Sequence, residues 1–100
     1  MYYDREGNQI SMDEWINLRE DQENRFIDRD VINGFLISTV WIGLDHQFGD
    51  GPPLVFETMV FDQREKENWE DIFCKRASTE EQAREAHQEA VHFVQTLESA

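Results

Sequence analysis

Asp45-His46 is the one place in this chain where a carboxylate and an imidazole are sequence neighbours. A histidine beside an acid is raw material for a general base or a metal ligand. Either use needs a third and a fourth group, and no spacing supplies them. The pair runs into Gly49, Gly51, Pro52 and Pro53, a composition that equally makes a turn in which the Asp caps local N–H groups. The sequence predicts no tight transition-metal site in the chain and no stoichiometric zinc binding that depends on His46. His87 and His92 are five apart, so a helix does not stack them as an i, i+4 pair. His87 falls on an apolar stripe and is expected to be a core or boundary histidine bonded to a carbonyl or a carboxylate. Cys74 lies beside Lys75 and Arg76, neighbours that can activate a thiol. No Cys-His motif accompanies it, and a buried strand cysteine is expected. Glu57 interrupts an apolar run and is expected either to pair with an arginine of a neighbouring strand or to face solvent. No phosphate-binding Gly loop, paired-cysteine zinc site or nucleophile elbow occurs. The expectation is a protein that is not an enzyme, with no catalytic residue, metal ligand or cofactor assigned.

Charge carries more information. Twenty-two acids against nine Lys and Arg give a formal net charge of −13. Such a surface repels nucleic acid and anionic lipid and attracts basic proteins. The acids fall in three groups: Asp13, Glu14, Glu20, Asp21 and Glu23; Glu65, Glu67, Glu70 and Asp71; and Glu80, Glu81, Glu85 and Glu89. Solvated faces that keep a small protein soluble have this composition. So does a surface imitating DNA, which presents one charge per ~1.7 Å of axis. The candidate partner-binding residues are Glu20, Asp21 and Glu23, with Phe26 as an apolar anchor, and Glu80, Glu85 and Glu89. The first set is favoured, because its polar segment lacks a supporting core. The expected partner is a basic protein or nucleoprotein complex, without direct nucleic-acid or membrane binding. Self-association as a homodimer stays open, as does a small enzyme or metal-binding domain centred on Asp45-His46.

These residues need elements to hold them. One hundred residues make a single domain spanning 1–100. Three tryptophans and seven phenylalanines argue against disorder. A lone Cys74 excludes an internal disulfide framework and suits a reducing cytosol. No apolar run approaches the ~20 residues of a membrane span. The start, MYYDREGN, lacks the apolar core of a signal peptide.

The expected fold class is α+β: an antiparallel sheet of about four strands with an N-terminal and a C-terminal helix packed on it. Tyr2 to Asp4 is a short candidate strand, ended by Gly7-Asn8. Ser11 and Glu14 form a capping box, with Ile10 and Trp15 at the staple positions, and the polar residues 19–24 continue that helix. Arg25–Ile32 is a weak strand, interrupted by Asp28 and Asp30. Asn33-Gly34 is the preferred type I′ hairpin turn. Phe35–Leu44 follows as a central strand, with Phe35, Ile37 and Trp41 on one face. Leu54–Phe61 is the next strand, and Trp69–Ala77 reads as an edge. The last helix starts at a Ser78/Glu81 box or, one residue on, at Thr79/Gln82. Ala83, Ala86, His87, Ala90, Val94 and Leu97 form its buried stripe. Leu97→Ala is accordingly expected to cost on the order of 2 kcal/mol.

Three stretches together resemble a known family. They are YYDREGNQIS followed by EW, then STVWIGLDHQFGDGPPLVFETMVF, then Cys-x-Arg-x-Ser-Thr-x-Glu-x-Ala-x-x-x-His, which runs from Cys74 to His87. The chain is similar over most of its length to short phage and prophage proteins to which no activity is assigned. No site residues transfer from them. The resemblance implies a bacterial cytoplasmic setting and a viral origin, a class whose small acidic members often block a host machine. The resulting expectation is a phage-encoded inhibitor of a host nucleic-acid-handling defence complex, acting in the manner of an anti-CRISPR or DNA mimic.

Overall fold

The computed structural model describes residues 1–44, 52–64 and 71–98, with the side chains of Asp71 and Glu98 excepted. The chain is α+β, as the sequence predicts. Strand β1 (Tyr2–Tyr3) pairs antiparallel with β2 (Gln9–Ile10) in a two-stranded ribbon, turning through Gly7 at φ +85°. Helix α1 (Met12–Glu20) follows, capped by the Ser11 hydroxyl, which accepts the Glu14 N–H at 3.2 Å. The expected continuation of this helix is broken. Asp21 ends α1 and its side chain caps a separate turn, α2 (Gln22–Arg25), by accepting the Glu23 N–H. A short polar acid competes for backbone N–H groups, which is why Asp favours such boundaries.

Four antiparallel strands then run in sequence order: β3 (Phe26–Ile32), β4 (Phe35–Trp41), β5 (Phe56–Asp62) and β6 (Asp71–Ala77). Asn33 and Gly34 both take positive φ, 50° and 86°, so the hairpin turn sits where the sequence places it. β4 is shorter than expected. It leaves the sheet at Ile42, because Gly43 turns at φ +65° and Leu44 makes only an isolated bridge to Tyr2. β3 and β6 are the edges, the latter as predicted.

Helix α3 (Glu80–Glu98) lies on one face of the sheet and touches all four strands. Of the two capping frames, the structure uses the second: Thr79 Oγ1 accepts the Gln82 N–H at 3.1 Å. The small residues of its stripe let it sit close. Ala83, Ala86, Ala90 and Val94 are buried against Phe35, Ile37, Trp41, Phe56 and Val60.

Leu97 departs from the expectation. It is 42 % exposed, because the stripe runs past the apolar residues of the sheet after Val94. Leu97→Ala should therefore cost under about 1 kcal/mol, well below the 2–5 kcal/mol of a core deletion, in a urea titration. Cys74 is a second correction: it is exposed. In β6 it alternates to the sheet face opposite α3, together with Arg76.

Candidate functional site

The register of the sheet builds a polar line across its helix-covered face. Asp28 pairs with Thr39, Thr39 with Thr58, and Thr58 with Lys75. This row separates two apolar clusters. Phe35, Ile37, Val60, Ala90 and Val94 lie to one side, and Trp41, Val55, Phe56, Ala77 and Ala83 to the other. His87 descends from α3 onto the row and is fully buried. Its Nδ1 lies 2.7 Å from Thr39 Oγ1, which lies 2.7 Å from Thr58 Oγ1. Its Nε2 lies 2.7 Å from Asp30 Oδ2 and 3.7 Å from Asp28 Oδ2.

His87 thus meets its expectation as a buried histidine bonded to a carboxylate. The identity of the partners was less visible. Asp28 and Asp30 look like defects in a weak strand. They are one i, i+2 step apart, and that spacing puts both on the face turned toward α3. The signal that could have found them is this spacing combined with a histidine on the buried stripe of the covering helix.

A Thr–His–Asp series invites comparison with a catalytic triad, and its burial argues against that use. Thr39 is fully buried, so its hydroxyl cannot reach a substrate. The hydroxyl that His87 Nδ1 meets is this buried one, and Nε2 meets Asp30.

The candidate binding residues sit elsewhere. Glu20, Asp21 and Glu23 are exposed, and helices α1 and α2 contain no buried residue. No ion pair ties these three acids to another described residue. The nearby cations are turned onto aromatic rings instead: Arg19 lies 5.3 Å from the Trp15 ring centre, and Arg25 lies 4.9 Å from that of Phe26. Phe26 is half-buried, and it lines a groove with Trp15, Val40, Glu57 and Arg76.

The second set is more constrained. Glu80 is bound by Arg5 and Arg84, and Glu89 by Lys75 at 2.6 Å, while Glu85 is exposed. The Arg5 guanidinium hydrogen-bonds the Glu80 carboxylate and holds its pKa below the usual value. Glu57 pairs with Arg76 of the neighbouring strand at 3.0 Å, the structural ion pair that the sequence suggests. Asp45, His46, Glu65, Glu67 and Glu70 lie outside the described residues, as does the side chain of Asp71.

No family model matches the chain, nor does any curated protein or solved structure. Among the described residues, no helix is long and apolar enough to cross a membrane.

Proposed function

We propose that this chain is a binding protein of phage origin that uses its acidic surface to occupy a basic, nucleic-acid-handling site on a host defence complex in the bacterial cytoplasm. One observation carries the reading. The α1–α2 segment presents Glu20, Asp21 and Glu23 to solvent, with no ion pair to a described residue, on two helices that hold no fully buried residue and lean on the core through Trp15 and Leu18. Acids that stabilise a fold are usually paired or serve as caps. Of these three only Asp21 has such a duty, as the cap between the two helices. The charge of the chain, −13, makes approach to a basic groove favourable over long range. Phe26 and the adjacent groove add apolar surface that charge alone does not supply.

The test is direct capture from bacterial lysate, followed by a DNA-binding assay on the captured complex. Affinity should fall steeply as salt rises from 0.1 to 1 M, because the screening length drops from ~10 to ~3 Å. Reversal of Glu20, Asp21 and Glu23 to lysine should weaken binding at least tenfold while leaving the melting temperature within a few degrees. Reversal of Glu80, Glu85 and Glu89 should weaken it less, since two of those acids are spent inside the fold. Binding that ignores both salt and both sets of reversals, or that leaves the captured complex able to hold DNA, would overturn the proposal.

A further inference from the structure

We infer that Asp28, Asp30 and His87 form a binding site for one divalent transition-metal ion on the β3 edge of the sheet. The site is distinct from the acidic face and would stand if that proposal failed. One oxygen of each carboxylate and one nitrogen of His87 lie within 4.8 Å of one another.

Ligands at about 2.1 Å around a tetrahedral ion sit about 3.4 Å apart. The present separations from Nε2, 2.7 Å to Asp30 and 3.7 Å to Asp28, bracket that value. Small rotations of two side chains close the difference. Asp30 is 47 % exposed and Asp28 38 %; Asp28 also accepts the Arg29 N–H on Oδ1 at 2.9 Å, which leaves its Oδ2 toward the site. Their exposure also gives the ion a way in from solvent, while His87 itself does not move.

Two further observations separate this cluster from an ordinary patch of surface acids. The first is the back side of the imidazole. A metal-bound histidine almost always donates its other N–H to a fixed acceptor, which sets the tautomer and the ring plane. Here Thr39 Oγ1 stands 2.7 Å from Nδ1 and is itself 2.7 Å from Thr58 Oγ1. Hydroxyls both donate and accept. With Nε2–H donating to Asp30, the Thr39 hydroxyl donates to Nδ1. With a metal on Nε2, Nδ1–H donates to Thr39 and Thr39 donates to Thr58. Thr39 keeps a partner on each side in both states. Forming the metal–nitrogen bond shifts the tautomer of the neutral imidazole: the Nε2 proton leaves, one from solvent takes its place at Nδ1, and no proton is released overall.

The second observation is charge. Two carboxylates converge on one imidazole, and among the described residues their ion-pair contacts run to His87 alone. The one cation in the same cross-sheet row, Lys75, is paired with Glu89. A divalent cation answers the repulsion between two like charges turned toward the same point.

One nitrogen and two oxygens, with solvent on the open side, suit Zn²⁺, Co²⁺ or Mn²⁺ held by three protein ligands and water. The test uses the full chain, freed of metal by chelation, and titrates each of these ions at neutral pH by calorimetry. Co²⁺ is also followed by its visible absorption. We expect one equivalent to bind, and saturation to raise the melting temperature by roughly 10 °C, given ~100-fold excess over Kd.

Asp28→Asn and Asp30→Asn lie on a half-exposed edge and should keep the fold, checked by circular dichroism, while weakening binding more than tenfold. Thr39→Val should weaken it about tenfold through the lost outer hydrogen bond. Absence of stoichiometric binding by all three ions would overturn the inference. So would binding that survives both Asn variants, or that is lost on His46→Gln instead. Equal uptake of Ca²⁺, which indicates only diffuse attraction to acids, would overturn it too.

Discussion

Gly43→Ala should destabilise the domain by roughly 2–4 kcal/mol, the largest loss expected from adding one methyl group anywhere in the described chain. Two costs combine. Gly43 holds φ at +65°, a conformation that costs an L-residue about 1–2 kcal/mol. A Cβ there would stand 2.4 Å from Trp41 Cζ2 and 2.8 Å from the Trp15 indole. Both rings are held in place. Trp41 is 1 % exposed, and Trp15 is fastened by its Nε1–H, which donates to the Ile42 carbonyl at 3.0 Å. Overpacking of this kind costs ~1–3 kcal/mol.

Gly7→Ala is the matched control. Its φ is +85°, yet a Cβ there meets nothing within 4 Å, so only the backbone cost of about 1 kcal/mol remains. Urea denaturation of both variants separates the two costs. Equal losses would mean that the tryptophans repack freely. In that case the junction between α1 and the sheet would be looser than the contacts imply.

That junction shows what a sequence can and cannot reveal. Local chemistry was legible. Asn33-Gly34, the Ser11 cap and the alternation of Phe35, Ile37 and Trp41 each specify a conformation within a few residues, and each is present. The boundaries set by partners were not. Ile42 to Leu44 is apolar enough to continue β4, and Gly43 ends it because two indoles need the space. Leu97 has helical spacing, but spacing says nothing of how far the underlying sheet extends. Cys74 alternates correctly on β6, yet which face α3 covers is a tertiary fact.

The same limit hid the His87 cluster. Asp28, Asp30, Thr39, Thr58 and His87 come from four elements, and only the register of the sheet brings them into one line. Acids in a strand carry low β-propensity, so local reasoning scores Asp28 and Asp30 as faults. In the folded chain they serve the buried imidazole of His87.

His87→Ala should cost about 3 kcal/mol, with Thr39→Val and Thr58→Val costing successively less. The order follows from what each change leaves behind. Alanine at 87 opens a cavity in a fully buried site and removes bonds at both ring nitrogens. Asp30 softens the loss, since its half-exposed carboxylate recovers water. Valine at 39 keeps the shape but strips His87 Nδ1 of its partner inside the protein, where no water replaces it, at ~1–3 kcal/mol. Valine at 58 removes one neighbour of a hydroxyl that keeps another, so its cost should be near 1 kcal/mol. The decisive comparison is the double variant. Once Thr39 is valine, Thr58 has lost its hydroxyl partner, so Thr58→Val should then cost less, giving a coupling of at least about 0.5 kcal/mol. Strictly additive losses in a denaturation series would show that the two threonines act separately. The polar row between the two apolar clusters would then be three independent contacts, and the relay that holds the imidazole toward Asp28 and Asp30 would lose its physical basis.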